Sequence, residues 1–124
     1  MLAWTLALGS TVALILGCSM PGSTLPSVGP QGVDKWAHFL GFSFWAMAWL
    51  LALDADWPSA LVVLVAGALF GGTLELAQSY LPWKRSAELA DWIADVAGFG
   101  AGFILSIFLA PGGWRRIRSR IRRS

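Results

Sequence analysis

Charge is what this sequence has least of. Nine Lys and Arg and seven Asp and Glu make up 13% of its 124 residues, where an ordinary soluble domain carries about 25%. That scarcity excludes a conventional water-facing surface. There is a single cysteine, Cys18, so an intrachain disulfide is excluded and no redox compartment is indicated. Neither Lys nor Arg precedes Lys35, which argues against a secretory signal peptide, whose first segment is basic. No phosphate-binding glycine loop, CxxC pair or Ser-His-Asp series occurs. What is present is apolar: hydrophobic residues account for 56%, with eight Trp among them. Trp4, Trp36, Trp57, Trp83, Trp92 and Trp114 lie near the ends of apolar runs, where amphipathic rings settle at the lipid headgroups. The length leaves room for one domain.

Residues 2–20 carry no charge and are just long enough to cross a bilayer, which needs about 20 apolar residues. Ile15-Leu16-Gly17-Cys18 resembles a lipoprotein cleavage box, but the missing basic start favours a retained span. Residues 21–32 are rich in Pro, Gly and Ser and read as a loop. A second helix is expected over about 34–53, before the turn Asp54-Ala55-Asp56-Trp57. A third is expected over 58–80, with Pro58 in the first position, where its missing N–H costs nothing, and Pro82 ending it. A polar link starts at Trp83, and a fourth helix is expected over about 87–110, ahead of a basic tail at 111–124. Short connections force neighbouring helices to run antiparallel. The expected fold class is therefore all-α, a four-helix antiparallel transmembrane bundle.

Six of the nine basic residues (Arg115, Arg116, Arg118, Arg120, Arg122 and Arg123) lie in the last ten positions. The excess of positive charge on cytoplasmic loops then predicts that both termini are cytoplasmic. The tail reads as a topology anchor that also touches anionic lipid, at about 1 kcal/mol per basic residue. No nucleic-acid partner is expected.

The remaining charges gather. Asp34, Lys35 and His38 begin helix two, Glu75 and Gln78 end helix three, and Lys84, Arg85 and Glu88 follow. Asp91 and Asp95 occupy the first turns of helix four. In an antiparallel bundle all of these meet at one membrane face. Asp34 with His38, and Asp91 with Asp95, are four residues apart, and Glu75 with Gln78 three, so each pair shares a helix face. Gly67 and Gly71 extend the Glu75 face, and Gly98 and Gly102 extend the Asp95 face. Gly-xxx-Gly spacing lets helix backbones approach closely in lipid, so the polar side chains are expected to face other helices. With His38 neutral the cluster carries a net −2. A charged carboxylate at the centre of a spanning helix costs about 2.5–3.5 kcal/mol, so ionisable groups there are functional candidates.

This series resembles the VanZ-like family: D-K-x-x-H (Asp34, Lys35, His38), E-x-x-Q (Glu75, Gln78), Arg85, D-x-x-x-[N/D] (Asp91, Asp95) and G-x-x-x-G (Gly98, Gly102), in order over residues 34–102. Two positions depart from it, with Asp95 where many members carry Asn and Phe42 where many carry Tyr. The resemblance implies a small multi-pass protein of the bacterial inner membrane and a link to low-level resistance to the glycopeptide teicoplanin.

Several readings of the cluster compete. A hydrogen-bond and ion-pair network could simply lock helices two, three and four together. His38 with a carboxylate (Glu75, Asp91 or Asp95) could act as acid and base in a hydrolase or transferase on a lipid-linked substrate. One His with Glu75, Asp91 and Asp95 could hold a divalent cation, but metal sites usually recruit several such ligands with a supporting shell, so no cofactor is expected. The leading expectation is a cell-envelope binding or accessory protein whose extracytoplasmic polar site engages a lipid-linked or cell-wall precursor. In it Asp34, Lys35, Gln78 and Arg85 supply binding contacts, and His38, Glu75, Asp91 and Asp95 are the catalytic candidates. The lipid bilayer is the expected surrounding.

Overall fold

The computed structural model describes residues 1–20, 33–54, 57–82 and 89–109. They form four helices, α1 (Leu2–Ser19), α2 (Val33–Ala52), α3 (Trp57–Tyr80) and α4 (Leu89–Leu109), each within about two residues of its expected bounds. The basic tail and the links around Lys84 and Arg85 lie outside the described residues. Local conformation ends the first three helices. Met20 turns extended after α1. Asp54 ends α2 with φ at 48°, a left-handed conformation that Asp tolerates better than most residues. Pro82 bars helical geometry at Leu81, whose N–H instead closes a short turn onto the Gln78 carbonyl.

Contacts along the helices set their directions. Leu14 of α1 meets Gly41, and Trp4 meets Trp49, so α1 and α2 are antiparallel. Gly71 and Gly67 of α3 face Asp95 and Phe99, so α3 and α4 are antiparallel too. α2 and α4 lie side by side in the same direction, in the closest packing of the bundle. The core between α2, α3 and α4 is aromatic. Phe42 meets Phe99 edge-on at 5.0 Å, and Trp45 lies 5.6 Å from Phe99 and 5.5 Å from Phe70. Of the Trp residues on α2, Trp45 is core, Trp49 is half-buried and Trp36 is exposed.

The outer surface is greasy, with Leu8, Val12, Val62, Leu69, Ile93 and Phe108 all exposed. A continuous apolar shell of this kind suits lipid, not water. α1, α3 and α4 are each long and apolar enough to cross a membrane. α2 is less apolar than the other three. It has the length, since 20 residues rise about 30 Å, but it carries Lys35, His38, Ser43 and three Trp. It is also the helix most enclosed by its neighbours, contacting α1, α3 and α4, so protein rather than lipid solvates its polar groups.

Thr11 fastens α1 to this central helix. Its hydroxyl accepts the indole N–H of Trp45 at 2.8 Å and of Trp49 at 3.0 Å, and donates to the Ala7 carbonyl at 2.8 Å. That uses the hydroxyl's one donor and both acceptor sites. Thr11→Val keeps the shape and strands two indole donors away from water. At about 1–3 kcal/mol per unsatisfied buried group, the variant is expected to unfold at a clearly lower temperature in detergent. An unchanged midpoint would show that the two bonds do not hold α1.

Candidate functional site

Glycine determines how closely the helices meet, and that closeness builds the site. A Cβ on Gly98 would lie 2.5 Å from the Phe39 carbonyl oxygen and 3.1 Å from the Ser43 nitrogen, and one on Gly102 would collide with the Ser43 carbonyl. α4 therefore rests directly on the α2 backbone. Its preceding turns bring Asp95 opposite His38 and Asp91 opposite Lys35. On α3, a Cβ on Gly67 would enter the Phe99 ring at 2.6 Å, and one on Gly71 would lie 3.1 Å from Asp95 Oδ2. These bare positions admit Phe99 and Asp95 against α3, and Glu75 reaches the same place one turn later.

The imidazole of His38 sits between two acids. Its Nδ1 is hydrogen-bonded to Asp95 Oδ1 at 2.8 Å and lies 3.9 Å from Glu75 Oε1. The three residues are only 7%, 1% and 6% exposed. Beneath them the His38 ring stacks on Phe42 at 6.4 Å, so the aromatic core forms the floor. Lys35 and Asp91 make a separate pair at 3.6 Å, one turn nearer the helix ends, with the Lys side chain 44% exposed. Exposure decides their weights. Lys35 keeps its ammonium half in water although Asp91 is buried. A pair open to water on one side contributes under about 1 kcal/mol, whereas removing one partner of a wholly buried, hydrogen-bonded pair costs about 3–5 kcal/mol.

The expected site thus divides. His38, Glu75 and Asp95 come together. Asp91 belongs with Lys35 instead of with the imidazole. Gln78 is buried beside neither, because its Nε2 donates to the Cys18 carbonyl at 3.0 Å and ties the end of α3 to the end of α1. The Asp34 side chain, Lys84, Arg85 and Glu88 lie outside the described residues. Two contributors lie outside the expected set of site residues. Phe42 supplies the floor, and Trp92 bridges α4 to α3 by donating to the Ala68 carbonyl at 3.3 Å. Trp92 also borders a groove on the outer α3–α4 seam, where Leu69, Gly72, Leu76 and Leu89 join Glu75. Glu75 therefore belongs both to the buried cluster and to a groove that opens toward the lipid.

Chemically, an imidazole bonded to one carboxylate and close to a second can accept and release a proton, bind a polar headgroup, or ligate a cation. No protein-family model matches this chain, and no curated protein or solved structure is significantly similar to it.

Proposed function

We propose that this chain is a small cell-envelope membrane protein of the VanZ-like type. In this reading its His38–Glu75–Asp95 cluster binds the polar part of a lipid-anchored envelope molecule, such as a lipid-linked wall precursor. One observation carries the reading: Glu75 lines both the buried cluster and the groove on the α3–α4 seam, so a molecule lying in that groove is separated by a single side chain from the buried carboxylate. The six arginines of the tail support a cytoplasmic C-terminus, which puts the cluster at the extracytoplasmic end, where wall precursors are consumed. The motif series from Asp34 to Gly102 supports a contribution to glycopeptide resistance.

The test is teicoplanin susceptibility of a bacterial host expressing the chain, with membrane abundance measured alongside. The wild type is expected to raise the inhibitory concentration, and Glu75→Gln to return it to the vector level at unchanged abundance. Retained protection by Glu75→Gln at normal abundance would remove the site from the function. If the cluster only locks the helices, abundance and protection would fall together.

A second reading is a membrane-embedded hydrolase or transferase on the same class of substrate. The 2.8 Å hydrogen bond between His38 and Asp95 favours it, since a carboxylate that orients an imidazole is the usual support for a general base. Turnover of a lipid-linked precursor by the purified chain would separate it from simple binding.

A further inference from the structure

We infer that His38, Glu75 and Asp95 form a binding site for a single divalent transition-metal ion, Zn²⁺ or Mn²⁺. This goes beyond the envelope reading and does not depend on it. It revises the sequence-based expectation of no cofactor.

The geometry comes first. Each of the three residues offers one ligand atom within 4.8 Å of the other two. Metal–ligand bonds of about 2.1 Å in a tetrahedral site put ligand atoms roughly 3.4 Å apart. The separations from Nδ1, 2.8 Å to Asp95 and 3.9 Å to Glu75, fall on either side of that value. Side-chain adjustments of well under a turn of helix bring all three into range. The site is also preorganised. Its ligands come from three different helices, and the bare Gly71 makes room for Asp95 while Phe42 supports the imidazole. Sites on rigid elements with packed support hold ligand geometry best.

Charge points the same way. A 2+ ion cancels two carboxylates and leaves a neutral cluster, the least costly state for groups buried at this depth of a bundle. The donor types narrow the ion. Imidazole suits Zn²⁺ and other borderline ions, carboxylates suit Mn²⁺, and the cluster contains no thiolate to select Cu⁺. Three protein ligands leave at least one coordination position for a water or a headgroup oxygen.

The experiment uses the full chain in detergent, stripped with EDTA and dialysed against Zn²⁺ or Mn²⁺ alone, with bound metal measured by elemental analysis. About one ion per chain is expected, together with a rise in unfolding temperature that grows with ion concentration. Glu75→Gln preserves the side-chain shape, and its helix content is checked by circular dichroism. It is expected to lose stoichiometric binding, whereas Gly100→Ala, away from the cluster, retains it. Co²⁺ soaked into the wild type should give visible ligand-field absorption that Glu75→Gln lacks. The inference is overturned if stripped wild type takes up neither Zn²⁺ nor Mn²⁺, or if Glu75→Gln binds an ion as the wild type does. Either result leaves the susceptibility test standing, because that test reads protection rather than metal.

Discussion

Asp95→Ala is expected to destabilise the bundle by about 3–5 kcal/mol, against less than about 1 kcal/mol for Lys35→Ala. Each substitution removes one partner of a close side-chain contact, His38–Asp95 or Lys35–Asp91, and the contrast follows from burial. Asp95 is 1% exposed and hydrogen-bonded to an imidazole that is itself buried. Its loss leaves His38 facing Glu75 across the gap that a carboxylate had filled. Lys35 is nearly half-exposed, so at 3.6 Å from Asp91 its ammonium already keeps part of its hydration. Asp95→Asn, which keeps the acceptor oxygen and the volume, should fall between the two. Unfolding in detergent reads the order directly. In membranes, a loss of this size should lower the abundance of Asp95→Ala several-fold. Equal effects from Asp95→Ala and Lys35→Ala would mean that the buried pair is absent.

The second large effect needs only one added methyl group. Gly102→Ala should disrupt the contact between α2 and α4, while Gly100→Ala, two residues away on the same helix, should be neutral or slightly stabilising. The Cβ at 102 strikes the Ser43 carbonyl and lies 2.9 Å from Ala46 Cβ, both on the helix that carries His38. Backbone cannot rotate out of the way as a flexible side chain can, so the helices must part. Overpacking of this kind costs about 1–3 kcal/mol or more, and it moves Asp95 relative to His38 as well. The Cβ at 100 meets nothing within 4 Å, so only the helix preference of Ala over Gly remains, up to about 1 kcal/mol in its favour. Paired melting curves check this. Equal behaviour of the two variants would refute the direct seating of α4 on the α2 backbone.

Much of this arrangement is written in spacing. Asp95, Gly98 and Gly102 fall on one face of α4, and Gly67, Gly71 and Glu75 on one face of α3, so close approach and inward-facing acids are legible as a single pattern. Periodicity gives direction around a helix but not depth along it. Asp91 and Asp95 share a face yet stand four residues apart, about 6 Å along the axis, enough to meet Lys35 and His38 separately. Gln78 shares the Glu75 face for the same reason and still reaches a different neighbour, because the end of α1 arrives there. The position of α1 is the least legible feature. It depends on Thr11 receiving two indoles from α2, and one threonine in an apolar run has no periodic signature. The central place of α2, in contact with all three other helices, is likewise a tertiary fact.

A double-mutant cycle between His38 and Asp95, read as unfolding free energy in detergent, tests most directly whether separate helices deliver these side chains to one place. With His38→Ala, Asp95→Ala and the double variant, the expected coupling is about 1–3 kcal/mol, as for residues in direct contact. The double variant should then lose about 1–3 kcal/mol less than the sum of the two single ones. Effects that add to within about 0.5 kcal/mol would show that the imidazole and the carboxylate do not meet.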